Sequence, residues 1–187
     1  FKAVQIGGPS GGCLNEDFLD TPIDFDSLTQ AGSMMGSGGM VVMDEDTCMV
    51  EVSRYFLDFT QNESCGKCTF CRIGTFHLLK ILERLTRGEG QDGDIELLET
   101  LSMDIKAGSL CGLGKTAPNP VLTSIKYFRE EYEAHIYEKR CPALMCRPMI
   151  AFYFDLDRCA RGCDACVACC PVEAIFCLLY TSDAADE

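Results

Sequence analysis

Apolar residues recur along much of this sequence at the three- and four-residue spacing of amphipathic helices. The helices predicted from this pattern cover residues 24–30, 47–61, 75–86, 94–106 and 120–138. Shorter apolar or alternating runs predict strands at residues 1–6, 40–43 and 150–155. A few strands followed by several helices indicate an α+β fold.

The order of these elements divides the chain into four parts. Residues 1–45 are expected to form a small α+β domain, and residues 46–139 a four-helix bundle, because four helices follow one another with short links. Residues 140–176 are expected to form a cysteine-rich linker and part of a ferredoxin-type domain. The tail 177–187 is interpreted as non-native.

Composition narrows the classes of function. The 187 residues carry a formal net charge of −13, which argues against binding nucleic acid. No signal peptide and no membrane-spanning apolar run are recognised, so direct membrane insertion is not expected. The 14 cysteines fall in clusters, which favours metal binding over scattered disulfides. Such thiols need a reducing compartment, and we expect the cytoplasm.

Three cysteines at C-x2-C-x2-C spacing form the strongest motif. They are Cys65, Cys68 and Cys71, and Cys111 lies further on in a glycine-rich segment. A [4Fe-4S] cluster needs four thiolates, and short gaps let one loop reach several irons. Structural zinc is the alternative, although zinc sites usually pair two C-x2-C knuckles. A disulfide framework is the weakest alternative.

A second candidate metal site consists of His135, Cys141 and Cys146. These residue types are ligands for zinc or for a cluster. The alternative is two free cysteines and a histidine stabilised by the end of a helix. The sequence does not identify a fourth ligand.

A third group of cysteines approximates the ferredoxin run C-x2-C-x2-C-x3-C-P. It consists of Cys159, Cys163, Cys166 and Cys170, and predicts a second [4Fe-4S] cluster. The first gap has three residues instead of two, and Cys169 is additional.

Other chemically suggestive residues are expected to be structural. The glycine-rich stretch 7–12 lacks the spacing of a phosphate-binding loop, and we predict a turn. Cys13 is expected to pack as a small apolar residue, and His77 to be a surface or packing residue and not a ligand. No pair of residues predicts acid–base catalysis.

Several longer motifs resemble one known family. They are GGPSGG, LDTPIDFDSL, MGSGGMVVMDEDTCMV, ESCGKCTFCRIGT and GSLCGLGKTAPNPV. They resemble the NADH-binding flavoprotein subunit shared by respiratory complex I, NAD-linked formate dehydrogenases and NAD(P)-reducing or electron-bifurcating [FeFe]-hydrogenases. The CPALMC segment and the ferredoxin-like run resemble the hydrogenase-type branch.

The resemblance implies that residues 1–45 are part of a ubiquitin-like, soluble-ligand-binding β-grasp domain. It implies one [4Fe-4S] cluster on Cys65, Cys68, Cys71 and Cys111, with FMN and NAD(P)H bound only in the full-length protein. Implied partners are other subunits of a hydrogenase or NADH dehydrogenase complex, including a thioredoxin-like [2Fe-2S] subunit.

Two hypotheses about function follow. In the first, the chain is an electron-transfer fragment of an NAD(P)H-linked oxidoreductase and passes single electrons between flavin and iron–sulfur clusters. In the second, the cysteines hold zinc in a non-redox scaffold on which partner subunits dock. Bound iron distinguishes the two.

Overall fold

The protein is described by a computed structural model that covers residues 1–150 and 165–169. By its internal contacts the chain divides into two compact units, Phe1–Ile150 and Ala151–Glu187. In the second unit one short helix, Ala165–Cys169, is described. The predicted strand at 150–155 therefore lies, except for its first residue, outside the described residues.

Three short antiparallel strands form a sheet at the start of the chain. They are β1 (Ala3–Ile6), β2 (Gly12–Leu14) and β3 (Met40–Met43). β1 lies in the middle, where Val4 pairs with Leu14 on one side and with Val42 on the other. The sequence predicted β1 and β3 but missed β2, because three residues after a glycine-rich turn carry too little pattern.

The glycine-rich turn between β1 and β2 depends on a close approach of two backbone segments. Gly7 adopts a φ of 95°, and its amide donates a hydrogen bond to the Gly39 carbonyl at 3.0 Å. A Cβ atom on Gly7 would lie 2.2 Å from the carbonyl oxygen of Met34. The turn therefore has the structural role that the sequence predicted.

Helices make up most of the first unit. They are α1 (Phe25–Gln30), α2 (Met49–Asn62), α3 (Thr75–Thr86), α4 (Asp94–Gly108), α5 (Gly112–Thr116) and α6 (Asn119–Glu133). Two π-helical segments adjoin them, Phe70–Gly74 before α3 and Ala134–Glu138 after α6. Short 3-10 helices cover Gly8–Ser10, Glu16–Phe18 and Arg147–Met149. The five-residue α5 was not predicted, because it is too short to show helical periodicity. None of the described helices is long and apolar enough to cross a membrane.

The start of α2 differs from the prediction. Thr47 was expected to cap this helix, but the N-cap position is Cys48, and the Thr47 hydroxyl bonds the Asp44 carboxylate at 2.8 Å. The amide of Met49 instead donates to the Glu131 carboxylate of α6 at 3.0 Å. A distant side chain thus replaces the local cap that propensity predicted.

Of the apolar cores in the described residues, the largest lies between α2, α3, α4 and α6. Its fully buried members include Val50, Leu57, Leu78, Leu82, Leu85, Leu98 and Val121. Two smaller cores connect the sheet to the helices; Cys13 lies in one with Met43 and Met49, as expected of an apolar residue. The coarse prediction of a small sheet combined with helices is confirmed.

A closed ring of three hydroxyl groups lies buried between α2 and α6. The Ser53 and Ser124 oxygens are 2.7 Å apart, and the Tyr132 hydroxyl lies 2.6 Å from Ser124 and 3.0 Å from Ser53. Burial raises the pKa of Tyr132 well above its usual value. The ring therefore satisfies polar groups that would otherwise destabilise the helix packing.

Candidate metal centres

The four cysteines of the strongest motif converge on one cavity. Cys65 and Cys68 lie in the loop after α2, Cys71 lies in the π-helical segment before α3, and Cys111 caps α5. All four line a cavity of about 100 Å³ with Ser64 among its other lining residues. The structure therefore brings together the four residues that the sequence grouped, although Cys111 is 40 positions beyond Cys71.

Close packing leaves little room around this cavity for further side chains. A Cβ atom on Gly114 would lie 2.5 Å from Oγ of Ser109 and 3.1 Å from Cβ of Cys71. Gly66 adopts a φ of 74°, and its carbonyl accepts a hydrogen bond from the Arg72 guanidinium at 3.2 Å. Glycine at these positions lets the backbone of the cysteine loop come close to α5 and turn between Cys65 and Cys68.

Backbone amides favour the thiolate form of one of these cysteines. Hydrogen bonds from the backbone of Leu110 and of Cys71 lower the pKa of Cys68, and the Ser109 hydroxyl acts in the same direction. At Cys71, burial raises the pKa, while the hydrogen bond to Ser64 opposes this effect. Metal ligation requires thiolate, so the amides around Cys68 prepare it for that role.

Two serine hydroxyls indicate that a hydrogen-bond acceptor binds in the cysteine cavity, which is called the cage below. Ser109 is 3% exposed, and among the described residues its hydroxyl has no hydrogen-bond partner. The Ser64 hydroxyl lies 3.3 Å from Sγ of Cys71. Buried hydroxyls are rarely left without partners. A cluster that is rich in anionic sulfur supplies such acceptors, so this donor set fits a [4Fe-4S] cluster.

The second candidate site is complete in the structure. His135, Cys141 and Cys146, which the sequence grouped, are joined by Cys48. All four side chains are buried, and their ligand atoms lie within 4.8 Å of one another. Cys48 directly precedes α2, and His135 lies in the π-helical segment after α6.

The distances in this second site fit a single tetrahedral ion. Sγ of Cys48 lies 3.8 Å from Sγ of Cys146, and Nε2 of His135 lies 3.4 Å and 3.5 Å from those two sulfurs. Zn–S and Zn–N bonds in a tetrahedron place the sulfurs about 3.8 Å apart and a sulfur and a nitrogen about 3.6 Å apart. In a cubane each thiolate binds a different iron, which requires wider separation.

A backbone carbonyl orients the histidine. Nδ1 of His135 lies 2.6 Å from the carbonyl oxygen of Glu131, so Nδ1 donates its proton there and Nε2 faces the sulfurs. Metal-bound histidines are commonly held in this way. Burial acts to lower the pKa of His135, but the hydrogen bond to Cys48 raises it to about 9. The imidazole is thus directed toward an anionic sulfur or a metal ion.

Sequence reasoning missed Cys48, and only one indirect signal could have found it. Apart from the three cysteine groups and the tail, Cys13 and Cys48 remain unassigned in the sequence. Cys13 follows a strand-like stretch and is predicted to pack in a core. Cys48 was therefore the remaining candidate, but no spacing rule connects it to a histidine 87 positions away.

The other predicted site residues fall partly within the described part of the chain. Cys166 lies exposed on the helix Ala165–Cys169, as does the additional Cys169. Cys159, Cys163 and Cys170 of the ferredoxin-like run lie outside the described residues. His77 is exposed, which corresponds to the surface role among the two roles predicted for it.

Residues 51–135 match a protein family described as the NADH-ubiquinone oxidoreductase-F iron-sulfur binding region. The chain is 54% identical over 175 residues to the NADP-reducing hydrogenase subunit HndC of Solidesulfovibrio fructosivorans, covering 94% of this chain and 36% of that protein. It is 44% identical over 137 residues to the NADH-quinone oxidoreductase F subunit of Escherichia coli strain K12, covering 73% and 31%.

Among solved structures, an NAD+-reducing [NiFe]-hydrogenase in the H2-reduced state matches with a TM-score of 0.65 and 34% identity. The match covers 72% of this chain and 23% of that one. The chain thus spans about a third of the length of the curated relatives it matches. The family resemblance predicted from the motifs is confirmed.

Proposed function

Because this chain is homologous to the F subunit of NADH-quinone oxidoreductase and carries its iron–sulfur binding region, we propose that it relays single electrons through a [4Fe-4S] cluster. The ligands are Cys65, Cys68, Cys71 and Cys111. The observation that carries this proposal is that these four cysteines, all within the matched region, line one cavity.

The residues around the cavity serve electron transfer in distinct ways. When bound, a [4Fe-4S] cluster accepts and returns one electron. Backbone amides stabilise the Cys68 thiolate, and close packing at Gly114 keeps bulky side chains away. Cys65 and Cys111 are exposed, so the cavity lies near the surface, where an electron has a short path to a partner group.

The proposal for the whole protein rests on its relatives. HndC is named as a subunit of an NADP-reducing hydrogenase, and the Escherichia coli relative as a subunit of NADH-quinone oxidoreductase. We propose that the longer protein is part of an NAD(P)H-linked oxidoreductase that also binds FMN and NAD(P)H. Its partners are other subunits of such a complex, including a thioredoxin-like [2Fe-2S] subunit, in the reducing cytoplasm.

The domain assignment is proposed from the same family. Residues 1–45 belong to a β-grasp domain, residues 46–139 form the helical cluster-binding bundle, and residues 140–176 lead into a partial ferredoxin-type domain. The antiparallel sheet and the packing of α2, α3, α4 and α6 support the first two assignments.

We further propose that a zinc ion occupies the site formed by Cys48, His135, Cys141 and Cys146. The 3.4–3.8 Å separations between three of the ligand atoms support zinc over a cluster. All four ligands come from the protein, which is typical of a structural zinc site and leaves no position for catalysis. In this proposal zinc has the scaffold role and iron has the redox role, at different sites.

One experiment tests both assignments. The chain is purified without oxygen and reconstituted with iron and sulfide, and iron, sulfide and zinc are measured per chain, with electron paramagnetic resonance on the reduced sample. We expect about one zinc, about four irons and a cubane signal from the first site. About eight irons would add the predicted cluster on Cys159, Cys163, Cys166 and Cys170. Zinc without iron would refute the electron-transfer proposal.

A further inference from the structure

Ser109 is held beside the cysteine cavity by the fold around it. It is the C-cap residue of α4, and its amide donates to the Ile105 carbonyl at 3.0 Å. Its side chain packs against Gly114, where even a methyl group would collide with Oγ at 2.5 Å. The side chain is therefore confined between α5 and the cysteine loop.

Within the described part of the chain, the hydroxyl of Ser109 is not matched to an oxygen or nitrogen acceptor. Among the described residues Oγ has no hydrogen-bond partner, although the side chain is almost completely buried. The hydroxyl acts to lower the pKa of Cys68, so it lies close to that sulfur without making a full hydrogen bond to it. A buried donor without an acceptor destabilises a fold, so the group that accepts from Ser109 is expected inside the cage.

Ser64 directly precedes Cys65, at the start of the cysteine loop. Its Oγ accepts a hydrogen bond from the Gly66 amide at 3.4 Å and lies 3.3 Å from Sγ of Cys71. A hydroxyl that accepts a hydrogen bond still has its own proton to donate, so the Ser64 proton is available to the sulfur. The two serines thus offer O–H donors to the cage from two different segments of the chain.

We propose that the hydroxyls of Ser109 and Ser64 donate hydrogen bonds to sulfur atoms of the bound cluster and raise its reduction potential. This inference rests on the proposed cluster at Cys65, Cys68, Cys71 and Cys111. The reduced cluster carries one more negative charge than the oxidised cluster. A donor to sulfur stabilises the reduced form more, and no proton is transferred when the electron arrives.

The test measures the midpoint potential of the cluster in the reconstituted chain by potentiometry followed by electron paramagnetic resonance. We expect Ser109→Ala and Ser64→Ala each to shift the potential to a more negative value, and the double variant to shift it further. Ser109→Thr keeps the hydroxyl and is expected to restore part of the potential.

Ser102→Ala is the matched control. Ser102 lies on α4, is fully buried, and its hydroxyl also lacks a partner among the described residues, but it lies seven positions, or about 10 Å of helix, before Ser109. This variant should leave the potential unchanged. It separates the effect of a donor at the cluster from the general effect of removing a buried hydroxyl.

The outcomes distinguish the inference from the proposed function. Unchanged potentials in Ser109→Ala and Ser64→Ala, or an equal shift in Ser102→Ala, would overturn the inference while leaving the cluster in place. If Ser109→Ala fails to assemble a cluster, the midpoint potential of the cluster in Ser64→Ala tests the inference instead. A wild-type chain that binds no iron would overturn the electron-transfer proposal and the inference with it.

Discussion

Nε2 of His135 lies 3.4 Å from Sγ of Cys48, although the two residues are 87 positions apart in the chain. Cys48 directly precedes α2, and His135 follows α6 in a π-helical segment. An ion bound between them would therefore fasten the start of one core helix to the end of another. Since the unfolded chain does not hold these ligands together, metal binding adds to the stability of the folded state.

The first prediction concerns the zinc site. Cys48→Ala should lose the bound zinc and lower the melting temperature by roughly 10 °C, because about 4 kcal/mol of stabilisation follows from a metal present at a thousandfold excess over its dissociation constant. Zinc analysis and thermal unfolding followed by circular dichroism measure both effects.

Cys13→Ala is the control for that variant. Cys13 is also a buried free thiol, but it lies in the sheet core with Met43 and Met49. It should retain the zinc and lose only about 1 kcal/mol of stability. Zinc retained at the wild-type level in Cys48→Ala would refute the four-ligand site.

The second prediction separates the two metals. Cys68→Ser should remove the iron and its spectrum and leave the zinc content unchanged, because a serine hydroxyl is a poor substitute for a thiolate ligand. The reciprocal variant, Cys48→Ala, should keep the iron and lose the zinc. Metal analysis of both variants in parallel provides the measurement. Loss of both metals from either variant would contradict independent sites.

The sequence predicted the first site more completely than the second for a physical reason. Cys65, Cys68 and Cys71 lie within one loop, so their spacing alone indicates a shared metal. Cys48 meets His135 only after α2 and α6 have packed, and no local pattern records that contact. The long helices were predicted well, because periodicity is a local property. β2 was missed because three residues show no periodicity, and the cap of α2 because Glu131 comes from a distant helix.

The third prediction concerns Glu131, which connects three elements. Its carboxylate lies 2.6 Å from Nζ of Lys2 and accepts the Met49 amide at 3.0 Å, and the Lys2 and Glu131 side chains are only 15% and 12% exposed. Glu131→Gln should lower the free energy of unfolding by about 2–3 kcal/mol, because it leaves the Lys2 charge largely buried without a counter-charge. Urea unfolding measures this loss.

Glu133→Gln is the control for Glu131→Gln. Glu133 pairs with Arg129 on the exposed side of α6, where both side chains are more than 40% exposed. Such a surface pair contributes less than about 1 kcal/mol. Equal losses in the two variants would show that the buried position of Glu131 has no special effect.

The fourth prediction concerns the close approach at Gly7. Gly7→Ala should destabilise the protein by about 3 kcal/mol, because it combines a positive φ with a collision at the Met34 carbonyl. Gly38→Ala is a matched variant, since Gly38 has a φ of 79° but nothing within 4 Å of a Cβ atom. It should cost only about 1 kcal/mol. Equal costs, measured by urea unfolding, would mean that the collision is relieved without strain.

The fifth prediction is a loss of stability at alkaline pH caused by Tyr132. Burial raises the pKa of this hydroxyl in the folded protein above the value of about 10 that a tyrosine has in an unfolded chain. Above about pH 10 the unfolded state therefore holds fewer protons than the folded state, and the free energy of unfolding falls as pH rises. Below about pH 10 the Tyr132 hydroxyl is protonated in both the folded and the unfolded state, so its contribution to the free energy of unfolding does not change with pH.

Tyr132→Phe tests whether ionisation of Tyr132 lowers the free energy of unfolding at alkaline pH. The variant loses the hydrogen bonds to Ser124 and Ser53, so it should be about 1–2 kcal/mol less stable at neutral pH. Having no phenol to ionise at this position, it should then lose the Tyr132 part of the alkaline pH dependence. Because burial raises the pKa of Cys13 to about 12, that thiol contributes in the same direction in both proteins and cancels in their difference. Urea unfolding from neutral pH to pH values above the tyrosine range measures the two slopes. A steeper alkaline loss in Tyr132→Phe would contradict the assignment, since the buried phenol can only add to the wild-type slope.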